Sequence, residues 1–90
     1  MTNFVIEQKE YVASSFNKLL LANRKLMGIS FEDCTFTTCD FSATEFIDCK
    51  FIDCHFSQCN LSVIEVNNCR FSDVLIKDSK VIGVDWTKAQ

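Results

Sequence analysis

FEDCTFTTCDFSATEFIDCKFIDCHFSQCNLSVIEV, residues 31–66, divides into blocks of five. A large apolar residue opens each block: Phe31, Phe36, Phe41, Phe46, Phe51, Phe56, Leu61 and Val66. The fourth place is small or of moderate size: Cys34, Cys39, Thr44, Cys49, Cys54, Cys59, Ile64 and Cys69. The remaining places are mostly polar. A period of five matches neither the 3.6 of a helix nor the 2 of a strand. It is an internal repeat, and its repeating unit sets the architecture. The frame runs on through Phe71, Ile76, Val81 and Trp86, with Val74, Ser79, Val84 and Ala89 in the fourth place. The first and fourth places are the candidate core.

Upstream the frame is weaker. Tyr11, Phe16, Leu21 and Leu26 continue it backward as a degenerate first coil. The rival is a short N-terminal amphipathic helix over residues 9–27, with Val12, Phe16, Leu19, Leu20 and Ala22 on one broad face. Arg24 counts against the repeat, because the frame points it inward. The degenerate coil is the preferred reading. Residues 1–10 form a separate N-terminal segment, and residues 11–90 form the repeat unit.

Ninety residues make one small domain. No run of 18 apolar residues is present, so no membrane-spanning helix is expected. Phe4, Val5 and Ile6 are followed at once by Glu7 and Lys9, unlike a secretory leader. A cytoplasmic location is therefore expected. A net charge of −3 argues against direct nucleic-acid binding. With two glycines and no proline, the turns are expected to be type I or close variants.

Six cysteines invite a disulfide framework, yet every one falls in the fourth place. A small core residue has reason to keep that register; a disulfide set or metal site does not. The C-x4-C pairs Cys34/Cys39 and Cys49/Cys54/Cys59 lie at the outer edge of structural zinc spacing and lack a histidine pair. Free, buried thiols are expected, with no metal and no cofactor. A metal- or redox-responsive cysteine protein would instead titrate rapidly with thiol reagents in the native state.

FEDCTFTTCDF (31–41) and FIDCKFIDCHFSQCNL (46–61) resemble the pentapeptide-repeat proteins, whose consensus places Ala in the small position, then Asp or Asn, then Leu or Phe. Here cysteine largely replaces that alanine. The resemblance covers residues 11–90 and is dense over 31–75. It implies an all-β fold, a right-handed quadrilateral parallel β-helix of about four coils, with four pentapeptides to each square coil. Residues 20 apart then stack: Cys34 on Cys54, Cys39 on Cys59, Cys49 on Cys69. Parallel strands stand ~4.8 Å apart, so parallel Cβ vectors stay wider than a disulfide's ~3.8 Å.

Phe16–Leu21, Leu26–Gly28 and Gly83–Ala89 also resemble the quinolone-resistance-type subgroup. In that subgroup the chain continues for about another domain half and closes with a dimerising element, so this sequence is expected to correspond to the N-terminal half. The resemblance further implies rod-shaped dimers that mimic duplex DNA and bind DNA gyrase or topoisomerase IV.

Two acidic columns follow from the stacking. Asp33, Asp53 and Asp73 share the third place, and Glu45, Glu65 and Asp85 share the fifth. Stacked like charges repel, and Lys50 and Arg70 offset part of that. The bland reading is a solvated face that keeps a solenoid soluble. The sharper one is a charged ladder offered to a DNA-gripping protein. His55, the single histidine, points outward. No nucleophile–base pair, P-loop or zinc-protease motif is present, so an enzyme is not expected. The last coil, with Ile76, Val81 and Trp86, lacks a polar cap and forms an expected end interface. The first expectation is therefore a non-enzymatic structural and protein-interaction module that self-associates end to end as a homo-oligomer. A dimer through the C-terminal coil is favoured. The alternative is a DNA-mimicking, gyrase-binding protein.

Overall fold

The computed structural model describes residues 9–90; the N-terminal segment 1–8, with the apolar Phe4–Ile6, lies outside the described residues. Among the described residues eleven strands of three residues are present. Each centres on a first-place residue, which points inward, flanked by outward fifth- and second-place neighbours. Three residues suffice because a corner follows at once.

The strands stack on four sides. Side one holds β1 (Glu10–Val12), β4 (Ser30–Glu32), β7 (Lys50–Ile52) and β10 (Arg70–Ser72). Side two holds β2 (Ser15–Asn17), β5 (Thr35–Thr37), β8 (His55–Ser57) and β11 (Leu75–Lys77). Side three is a line of single parallel bridges, Leu20–Asp40–Asn60–Lys80. Side four holds β3 (Lys25–Met27), β6 (Glu45–Ile47) and β9 (Glu65–Asn67). Every pairing is parallel with a register shift of 20, as in Phe31↔Phe51 and Phe46↔Val66. This is the quadrilateral parallel β-helix. Three coils are complete, and a fourth ends in a 3-10 helix, η1 (Trp86–Lys88), in place of its last strand. The count is thus slightly below four full coils. Among the described residues no helix is long and apolar enough to cross a membrane.

Residues 10–27 are strands β1 to β3, not a helix. Arg24 is exposed although its place points inward elsewhere. In the first coil a long side chain can leave the core over the end, and desolvating a guanidinium would be costly.

The corners differ from the expected type I turns. Every third-place residue from Ala13 to Gly83 has a positive φ, among them Asp33 (56°), Asp53 (52°) and Val63 (49°). The left-handed residue aims its N–H along the stack: Asp33 N donates to Ile52 O at 2.8 Å and Asp53 N to Ser72 O at 2.9 Å. Asp and Asn tolerate this region better than other non-glycine residues. That is why few glycines are needed.

Inside, first-place rings form columns. Tyr11, Phe31, Phe51 and Phe71 stack at centroid spacings of 5.4, 5.1 and 5.1 Å, with planes within 12°. Phe16, Phe36 and Phe56 stack at 5.1 and 4.7 Å. Rings on adjacent sides meet edge to face, as Phe31 and Phe36 do at 74°. The spacing follows the strand separation, so ring stacking and the backbone ladder satisfy one geometry. Phe31, Phe36, Phe41, Phe46, Phe51, Phe56, Leu61 and Val66 are all buried, each phenylalanine contributing roughly 2–3 kcal/mol relative to exposure.

The last coil departs from the expected core. Phe71, Ile76 and Val81 are only half-buried, and Trp86 is 41% exposed rather than a core member. Each core residue of a solenoid is covered by the coil on either side. Phe71, Ile76 and Val81 have one such neighbour, and Trp86, in η1, meets Phe71 edge to face and stays partly exposed.

Candidate functional site

All eight fourth-place residues from Cys34 to Cys69 are buried, and the six cysteines are free thiols. They share one hydrogen-bond pattern. Cys54 Sγ donates to the first-place carbonyl of Phe31, one coil back, at 3.3 Å. Cys59 does so to Phe36 and Cys69 to Phe46, each at 3.3 Å, while Cys49 reaches Leu26 at 3.5 Å. A second contact runs to the residue two places earlier, as from Cys54 to Ile52 O at 3.4 Å. Thr44 fills the same role with a hydroxyl, donating to Leu21 O at 2.6 Å. Where Cys or Thr fills the place, a small side chain supplies one donor; Leu19, Ile29 and Ile64 fill it without one.

These thiols are shut off from solvent. Burial pushes Cys54 up to about 11. In the stacked pairs the hydrogen bond between the two thiols acts first, pushing Cys39 and Cys69 up and holding Cys59 and Cys49 below the ordinary value. None of the six is more than 3% exposed, so a reagent has no path to them. Among the described residues no group of three or more His, Cys, Asp or Glu side chains could hold a metal ion. His55 is exposed, register-paired between Thr35 and Leu75.

The acidic residues lie outside. Asp33, Asp53 and Asp73 occupy one corner, all exposed and all with positive φ. Glu45 and Glu65 are register partners, with Lys25 before Glu45. Asp85 leaves that line. It caps η1, accepting from Thr87 N at 3.0 Å and from Thr87 Oγ1. The Thr87 side-chain hydrogen bond comes first in holding its carboxyl below the ordinary value. Lys50 and Arg70 are register partners of each other. Charge is unevenly shared among the coils. Residues 30–49 carry Glu32, Asp33, Asp40, Glu45 and Asp48 with no cation. Residues 70–89 carry Asp73, Asp78 and Asp85 against Arg70, Lys77, Lys80 and Lys88.

The end of the last coil is the most distinctive surface. Phe71, Val74, Ile76, Val81, Val84 and Ala89 are partly buried hydrophobics packed against the core. Trp86 meets Phe71 edge to face at 5.4 Å and 81°. Strands β10 and β11 are the terminal strands of their sheets. The first coil is unlike it: Phe16, Leu21 and Leu26 are buried, at 8, 2 and 9% exposure. Of the expected end residues, Ile76 and Val81 pack against the core and Trp86 meets Phe71; Phe71, Val74 and Val84 were not among those expected. The turn at Trp86 was also missed. Its signal is Asp85-Trp86-Thr87, which repeats Asp40-Phe41-Ser42, where Ser42 N donates to Asp40 Oδ1 at 2.9 Å.

A repeating five-residue frame, four stacked sides and inward first and fourth places define a pentapeptide-repeat solenoid. The family model for the pentapeptide repeat region matches residues 29–90, and the chain belongs to that family. Among solved structures it is similar to full-length QnrB1, a plasmid-mediated fluoroquinolone resistance protein, at 22% identity and a TM-score of 0.36, over 86% of this chain and 48% of that one. A trypsin-treated form of QnrB1 matches at 19% identity and a TM-score of 0.23, over 82% and 56%. The chain spans about half the length of these structures. No curated protein matches it.

Proposed function

We propose that the chain is a non-enzymatic interaction module that pairs with a second copy of itself through the last coil. The inequality of the two ends carries this reading. First-place residues of the first coil are buried apart from the half-buried Tyr11, whereas Phe71, Ile76 and Val81 are half-buried and Trp86 is exposed. One sticky end gives a closed pair, while two would give a filament. A second copy suits this end because it brings the same apolar ring and a mixed set of charges. Three carboxylates and four cations on the last coil let two copies approach without the repulsion that the second coil would impose. A cross-section of 24 × 22 Å places the contact at roughly 500 Å² per copy. That is at the low end for specific interfaces and implies a dissociation constant on the order of micromolar. Free thiols suit a reducing compartment, and the reading includes a cytoplasmic location. The test is to place a charge at each end. Ile76→Glu should abolish the pair in size exclusion, and Leu20→Glu, 76% exposed on the first coil, should leave it intact. Equal behaviour of the two variants would contradict the reading.

A second reading, a DNA mimic that binds gyrase, draws on the acidity of the second coil. Duplex DNA carries one charge per ~1.7 Å, or about three per coil rise. The five uncompensated carboxylates of residues 30–49 exceed that, but residues 70–89 are net positive. The charge pattern of a duplex is thus reproduced over one coil only, which favours the first reading. A supercoiling assay with gyrase separates them: inhibition at micromolar protein supports the mimic, and none at high concentration removes it.

A further inference from the structure

On side four, three coils carry a strand and the last carries η1. The ladder keeps its phase on both sides of η1. Lys80 bridges Asn60 before it, and Gln90 N donates to Cys69 O at 2.8 Å after it. The same fifth-place spacing separates Asn60 from Arg70 one coil back, so no residue is inserted or lost across the turn.

The neighbouring strand, β9, has no further strand beside it among the described residues. Glu65 N to Thr44 O, at 2.9 Å, and Asp48 N to Asn67 O, at 3.0 Å, flank the Phe46↔Val66 pair. In a parallel ladder this parity turns both backbone groups of Val66 toward the fourth coil. The Val66 carbonyl instead accepts from Cys69 N at 3.2 Å, and no bond joins the Val66 N–H to Asp85 O. Beside it lies a cleft of about 110 Å³ lined by Glu65, Val66, Asn67, Gly83, Asp85 and Lys88. The Asp85 carbonyl, its partner in a continued ladder, holds only a long 3.4 Å contact from Lys88 N. Trp86, in phase with Leu26, Phe46 and Val66, lies in η1 rather than in a strand and is 41% exposed.

We infer that residues 85–89 are a latent fourth strand, held as a turn by the Asp85–Thr87 hydrogen bonds in the free chain and converted to a strand when a second copy covers the last coil. This rests on the pairing proposed above. In the strand state Val66 N–H donates to Asp85 O, Thr87 N donates to Val66 O, and Trp86 lies on Val66. Without a covering coil that move gains little burial for Trp86. A partner coil supplies the differential burial that shifts the balance.

Trp86 is the single tryptophan, so its emission reports the change. The full chain is followed across its association range by sedimentation, acrylamide quenching and the through-hydrogen-bond coupling between Val66 ¹⁵N and Asp85 carbonyl ¹³C. The expected result is a blue shift, a several-fold fall in quenching and the appearance of that coupling in the pair. An Asp85→Ala/Thr87→Val double variant should associate roughly tenfold more tightly, since the turn no longer competes. Association without the Val66–Asp85 coupling overturns the latent strand and leaves pairing intact. If the wild-type chain stays monomeric, pairing falls. The double variant then decides the strand alone: the coupling in its free form supports it, and its absence there overturns it.

Discussion

The thiol of Cys54 donates to the carbonyl of Phe31, 23 residues earlier, at 3.3 Å. The same link recurs from Cys39, Cys49, Cys59 and Cys69 and, through a hydroxyl, from Thr44. It ties the fourth place of one coil to the first place of the coil below, so the two core columns brace each other.

Thr44 tests whether the donor matters. Thr44→Val keeps the shape and removes the hydrogen bond to Leu21 O; it should cost about 1 kcal/mol in urea unfolding. Thr44→Cys restores the donor used elsewhere and should cost less. Equal stability of wild type and the valine variant would mean that the place selects size alone.

The thiols should be silent in the native state. All six should react with an aromatic disulfide reagent only as fast as the chain unfolds, then together in denaturant. Fast native titration of even two would contradict a dry core.

Alkali should weaken the fold. Cys54 is raised from 9.0 to about 11 in the folded chain, so the unfolded chain ionises first. Its contribution is complete below about pH 9 and is lost as pH rises through about 11, a span worth roughly 2–3 kcal/mol. The Cys54 share of the urea midpoint should stay level below that window and fall within it. Cys54→Ala should flatten the fall.

The corners offer a gain. Val63 is β-branched at φ 49°, where such a residue is strained. Val63→Asn should stabilise by about 1 kcal/mol in thermal unfolding. Gly83→Ala should destabilise, because φ is 71° and the added Cβ would stand 2.9 Å from Val63 Cγ1. At Gly28 nothing lies within 4 Å, so the same change there should cost less.

The frame from Phe31 to Val66 was legible because each of its residues sits between two coils, where place in the block alone decides burial. Trp86 was not, since a column position stabilises a side chain only when something covers it, and Asp85 and Thr87 favour a turn there. The left-handed corners were legible in principle. Asp33, Asp53, Asp73, Asn23, Asn68, Gly28 and Gly83 all share the third place, and all belong to types that tolerate positive φ. The scarcity of glycine hid that signal. The identity of a partner is a property of the outer faces, where the repeat leaves the side chains free to vary.

The central claim is that the last coil pairs two copies. Sedimentation equilibrium from sub-micromolar to about 100 micromolar tests it most directly, that span bracketing the expected affinity. The account predicts a shift from 10.3 kDa to about twice that mass, with no larger species. A mass fixed at 10.3 kDa throughout, or open-ended growth with concentration, would contradict it.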